Sequence, residues 1–153
     1  MSLTRIWVHA VWSTKNREPV LTNQIRSEAF PHMIANAKDM HVAIDTINGI
    51  EDHVHALLRL NPEQSIAWVM QLIKGEASHW INQNCQPTSR FQWQEEYYAV
   101  SVSEAAINRV RRYIERQQDH HRRQSFREEC ARMIVTAGLK KPRGITKRAS
   151  TGL

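Results

Sequence analysis

Asp52-His53-Val54-His55-Ala56-Leu57-Leu58-Arg59-Leu60 is an apolar run interrupted by two imidazoles, closed by Asn61-Pro62. Its length and its boundary residues mark it as a β-strand. Side chains alternate along a strand, so Val54, Ala56 and Leu58 should face a core, while His53, His55 and Leu57 face the other way. Two imidazoles on one face can converge on a single ion. Buried without protonation, hydrogen bonds or a metal, they would carry an uncompensated desolvation cost. Asp52 points away from them and reads as a turn residue or a group that orients a ligand.

The neighbouring segments supply the rest of a sheet. Arg5 to Ser13 is rich in β-formers and predicts a first strand, and Lys15 to Pro19 a basic loop. Thr22 caps a predicted helix with Ile25, Ala29, Met33, Ile34 and Ala37 at helical spacing, strained or kinked at Pro31. Val42 to Ile50 predicts a second strand, broken by a turn or bulge at Asn48-Gly49. Ser65 opens a helix with Ile66, Val69, Met70, Ile73, Ala77 and Trp80 on its apolar side. After a loop over Asn82 to Arg90, Tyr97 to Val102 predicts a fourth strand, with Trp93 just ahead of it. The order β-α-β-β-α-β is that of a ferredoxin-like α+β fold, with the His53–His55 strand near the sheet centre.

More helices follow. Ser103 is placed as the cap of one whose stripe is Ala106, Ile107, Val110 and Ile114. A break over His120 to Gln124 precedes another, Ser125 to Ala137, with Ser125 and Glu128 at capping-box spacing and Gly138 as its stop. Residues 1–138 read as one domain and 139–153 as a basic, flexible tail.

The chain has 153 residues, 41% of them hydrophobic, a formal net charge of +6 and a sequence pI near 9.7. That balance favours an anionic partner, and the arginines behind it suit bidentate contact with phosphate. Cys85 and Cys130 have no metal-like spacing and read as free thiols of a reducing cytoplasm. No apolar run is long enough to span a bilayer, and no signal-peptide core opens the chain, so a cytoplasmic protein without a membrane partner is expected.

Tyr113, Gln117 and His121 fall at i, i+4 and i+8 on one helical stripe, among Arg109, Arg111, Arg112, Arg116, Arg122, Arg123 and Arg127. Such a cluster would draw phosphates and stabilise a phenolate at Tyr113. Arg109, Arg112 and Arg116 are candidate nucleic-acid contacts, as is Lys74 in the second helix. Trp93, Tyr97 and Tyr98 read as core aromatics rather than base-stacking platforms, and His9, His32, His41 and His79 as structural.

His53-Val54-His55, Trp93 through Tyr97-Tyr98 into Ser101-Val102-Ser103, Arg112-Tyr113-Ile114-Glu115-Arg116-Gln117, His120-His121 and Ser125-Phe126-Arg127-Glu128-Glu129 together resemble the HUH single-tyrosine transposases. These are the short transposases of insertion sequences of the insertion-sequence-200 type. The resemblance implies that His53 and His55 are metal ligands, with Gln117 (or His120, should the helix end early) the third. Tyr113 would be the nucleophile. It also implies a divalent ion, Mg²⁺ or Mn²⁺, no small-molecule cofactor, single-stranded DNA hairpins at element ends as substrate, and a homodimer whose tyrosine helix can complete the partner's site. Cutting and rejoining would pass through a 5′-phosphotyrosine link. A domesticated relative that nicks repeated hairpins, and a non-catalytic ferredoxin-like nucleic-acid-binding module, are the alternatives. The second would need aromatic platforms where the central strand carries imidazoles.

Overall fold

The computed structural model describes residues 2–120 and 126–136. Four strands, β1 (Ile6–Thr14), β2 (Ala43–Gly49), β3 (His53–Leu60) and β4 (Trp93–Val102), form one sheet in the order β2-β3-β1-β4. Every neighbouring pair is antiparallel. With α1 (Asn23–Asp39) and α2 (Ile66–Asn84) as the crossovers, this is the ferredoxin-like arrangement the element order implies, and β3 is central.

The alternation in β3 divides the protein into two sides. Val54, Ala56 and Leu58 join Val8, Ala10 and Trp12 of β1 under Ala29, Met33, Val69, Met70, Ile73 and Ala77 of the two helices. The second face carries Leu57, covered by Ile107 and Ile114 of α3 (Ile107–Glu115), with Trp7, Val102, Val110 and Tyr113 around them. Thr22 and Ser65 cap α1 and α2 through their hydroxyls, which accept from Ile25 N and Trp68 N. α1 runs unbroken across Pro31, because its buried face and the His32 contacts with Trp80 and Glu76 on α2 hold it in place.

Four local expectations change. Asn48 and Gly49 stay in register opposite His55 and Val54, and the irregularity in β2 lies between Ile44 and Thr46. Gly49 is required for close approach: a Cβ there would lie 2.3 Å from the His53 carbonyl oxygen. β4 begins at Trp93, because Trp93 pairs with Thr14. Ser103 makes no side-chain cap; a 3-10 turn, Glu104–Ala106, leads into α3 instead. The stripe through Tyr113 is also not one continuous helix, since Arg116 leaves helical geometry before α4 (Gln117–His120). A further helix, α5, spans Phe126–Thr136. His121, the cap at Ser125, the stop at Gly138 and the tail lie outside the described residues. Among those described, no helix is long and apolar enough to cross a membrane, and both cysteines are free.

Candidate active site

β3 delivers His53 and His55 to the second face of the sheet, both fully buried. α3 crosses that face and brings Tyr113 beside them, its ring 5.7 Å from that of His55. The short α4 begins with Gln117, also fully buried. From the far side α5 contributes Glu129, only 3% exposed. Oε2 of Glu129 lies 3.2 Å from Nε2 of His53 and 3.2 Å from Nε2 of His55. Its other oxygen accepts hydrogen bonds from the Tyr113 hydroxyl and, at 3.2 Å, from the Gln117 amide.

The outer nitrogens of the two imidazoles are anchored as well. His53 Nδ1 lies 2.8 Å from Asp52 Oδ1, and His55 Nδ1 lies 2.9 Å from Nε2 of His9. A carboxylate can only accept, so Nδ1 of His53 carries the proton. Burial and the neighbouring His55 pull the His9 pKa down to about 3, against the charge of Glu129, so His9 is neutral and can accept from His55. Nδ1 of each ring is thereby anchored, and Nε2 of each is turned to Glu129 Oε2 at the centre of the cluster, the position a metal-binding histidine uses.

The ionisation states follow from the same contacts. Burial would raise the Glu129 pKa, but hydrogen bonds from His53 and His55, the charge of His55 and the Tyr113 hydroxyl outweigh it and hold the carboxylate ionised. Burial would lower the His53 pKa; its bonds to Asp52 and Glu129 raise it instead. The Tyr113 phenol is pushed up, first by burial and then by the hydrogen bond and charge of Glu129. This reverses the expected phenolate. Arg109, Arg112 and Arg116 are exposed along the outside of the helix, whereas the phenol meets a carboxylate. Arg111 forms a two-pronged pair with Asp45 at 2.7 and 2.8 Å.

The donors fit a divalent cation. Two imidazole nitrogens and a carboxylate have ligand atoms within 4.8 Å of one another. The Gln117 Oε1 atom is buried and accepts no hydrogen bond among the described residues, a desolvated acceptor that a cation would satisfy. Lys74 is not part of this cluster. It lies on α2, and its ammonium donates to the carbonyls of Gln94 and Glu95 at 2.7 and 2.8 Å, tying α2 to β4.

Sequence spacing therefore singles out four of the central residues and misses Glu129 and His9. Glu129 sits beside Glu128 at the start of a helix, where acidic residues are ordinary, and nothing local distinguishes it. For His9 a signal exists: it shares the strand face of Val11 and Ser13, whose partners in the register are His55 and His53.

A family model described as transposase, IS200 like, matches residues 2–117. The ISDra2 transposase TnpA of Deinococcus radiodurans is 26% identical over 117 residues, 72% of this chain and 83% of that protein. Among solved structures, a crystal structure of a Deinococcus radiodurans R1 protein described as a transposase superposes with a TM-score of 0.61 at 21% identity, over 76% of this chain and 93% of that one. A REP-associated tyrosine transposase bound to a REP hairpin gives 0.57 at 18%, over 79% and 74%. Glu129 lies beyond the segment the family model matches.

Proposed function

The chain belongs to the IS200-like transposase family, and from that membership we propose that it cuts and rejoins single-stranded DNA at hairpin-flanked element ends, with Tyr113 as nucleophile. The observation that carries this reading is the convergence of Tyr113, His53, His55 and Gln117 around one buried carboxylate. The neighbour that holds a REP hairpin supports a folded single strand as the substrate.

Nε2 of His53, Nε2 of His55, the Gln117 amide oxygen and Oε2 of Glu129 would hold the ion, with Mn²⁺ favoured over Mg²⁺ by two imidazoles. When bound, the ion supplies charge to polarise and orient the scissile phosphate. Glu129 has two tasks, one per oxygen. Oε2 faces the imidazoles, and Oε1 already accepts the Tyr113 hydroxyl, so it is placed to take the phenolic proton. Tyr113 Oη then bonds to phosphorus, the bond from phosphorus to the 3′ oxygen breaks, and that oxygen leaves as a 3′-hydroxyl after gaining a proton. The 5′-phosphotyrosine link conserves the energy of the broken bond, so rejoining needs no external source. Joining two ends requires two such centres, which a homodimer supplies.

The test is a denaturing gel. Protein with Mn²⁺ or Mg²⁺ meets labelled single strands taken from the DNA flanking its gene, with Tyr113→Phe and a chelated sample as controls. A metal-dependent covalent adduct that vanishes in Tyr113→Phe is expected; cutting by Tyr113→Phe with unchanged products would remove Tyr113 from its role. Calorimetric titration separately checks the ligand set. Glu129→Gln should weaken Mn²⁺ binding by roughly tenfold or more with the fold intact, and unchanged affinity would take Glu129 out of it.

A further inference from the structure

A cavity of about 470 Å³ opens on the same face of the sheet immediately beside the cluster. Its floor is Ser13 of β1, the register partner of His53, and Tyr98 of β4. One wall is Cys130, the residue after Glu129 on α5. Arg17, Arg127 and Glu96, all exposed, stand around it.

The turn that carries Arg17 is unusual. Asn16 and Arg17 adopt left-handed backbone conformations, φ 56° and 53°, which side chains other than glycine rarely take. Such a turn persists only when its surroundings hold it. β4 does so. The Lys15 N–H donates to the Gln92 carbonyl at 3.0 Å, the Lys15 ammonium to Gln92 Oε1 at 3.1 Å, and the Asn16 N–H to Gln94 Oε1 at 3.1 Å. The edge strand thus holds the turn that carries Arg17 at the cavity, while α5 supplies Arg127.

We propose that this cavity is a subsite for one nucleotide of the strand being cut, next to the scissile phosphate, with Arg17 and Arg127 on the flanking phosphate and Tyr98 and Glu96 against the base. The inference rests on the DNA-cutting reading above. The volume lies in the range of small-ligand pockets. Paired guanidiniums match a phosphate diester, a half-buried phenol ring offers a stacking surface that any base can use, and the Glu96 carboxylate, which can only accept, favours a base edge bearing an amino group. Its position, sharing β1 and α5 with the metal-type cluster, puts a nucleotide there in continuity with a phosphate at Tyr113.

Fluorescence anisotropy on the Tyr113→Phe protein tests this with no chemistry involved. The probes are a hairpin oligonucleotide from the DNA flanking the gene, bare or with about ten unpaired nucleotides on each side. Arg127→Ala and Tyr98→Ala, each added to that protein, should cut the affinity gained from the unpaired flanks by roughly tenfold and leave the bare hairpin unchanged. Arg127 is exposed, so its replacement does not threaten the fold. Abasic substitution along the flanks should then find one position whose effect is lost in Tyr98→Ala. Flanks that add nothing to the parent's affinity, or add the same in the parent and both variants, would overturn the subsite. A protein that forms the covalent adduct but ignores Arg127 keeps its cutting function and loses only the subsite. If no adduct forms and the flank affinity still depends on Arg127 and Tyr98, the cavity binds a nucleotide but not beside a scissile phosphate, and both the cutting reading and the subsite as proposed fall.

Discussion

His9 meets the site through one hydrogen bond, to His55, and through ring contacts with His55 and Tyr113. Its Nε2 lies 2.9 Å from His55 Nδ1 in a buried position, a hydrogen bond that anchors the ring with His55 Nε2 turned inward. His9→Leu keeps the volume and leaves His55 Nδ1 without that hydrogen-bond partner. Mn²⁺ affinity measured by calorimetry should fall roughly 10- to 100-fold, as is usual when such an anchoring partner is removed, with circular dichroism unchanged. An unaltered affinity would show that Asp52 and the ring packing suffice to orient the pair. The same residue marks where reading the sequence stops. His53 and His55 are two apart, Tyr113 and Gln117 four apart, and those spacings are legible because strand and helix geometry act locally. His9 and Glu129 join them only through pairing of β1 with β3 and docking of α5, contacts between residues 46 and 76 positions apart. The direction of the Tyr113 pKa was misjudged for the same reason: nearby arginines are visible in the sequence, the opposing carboxylate is not.

At the scale of elements, the site depends on how closely β2 and β3 approach. The β2–β3 hairpin closes with the Ile50 N–H donating to the His53 carbonyl at 3.0 Å, beside Gly49. A methyl group at position 49 would meet that carbonyl and the Val54 Cα at 3.1 Å, both backbone atoms that cannot swing aside. Gly49→Ala should therefore destabilise the protein by about 1–3 kcal/mol, the usual cost of forcing an atom into a filled site. The strand must move at His53 itself, so metal affinity should fall along with the denaturation midpoint. A variant that lost stability but bound Mn²⁺ normally would show that the strain is absorbed in β2. The β-α-β-β-α-β order was readable because each element has its own period and punctuation. In the sequence the Asn48-Gly49 pair reads as a break because those residues also favour turns; here the glycine serves contact between strands, which only the pairing reveals.

Over the whole molecule, the surplus of positive charge has a direction. The metal-type cluster is buried, so the attraction must come from groups at the surface. Arg109, Arg112 and Arg116 are exposed on the helix segment that carries Tyr113, and Arg17 and Arg127 border the neighbouring cavity. A polyanion drawn to these groups arrives on the face where the nucleophile sits, while α1 and α2 cover the other. Each arginine that neutralises a phosphate releases condensed counterions, so binding of single-stranded hairpin DNA should weaken linearly in log salt, with a slope of about 0.7 to 0.9 per phosphate contact. Arg112→Ala combined with Arg116→Ala should flatten that slope by about 1.5 across hairpins of any sequence, because phosphate contacts carry no base information. The measurement is the anisotropy titration of Tyr113→Phe protein repeated over a salt series. A reduced affinity with an unchanged slope would place those two arginines away from the phosphates and leave the charge on the cavity side, Arg17 and Arg127, to account for the attraction.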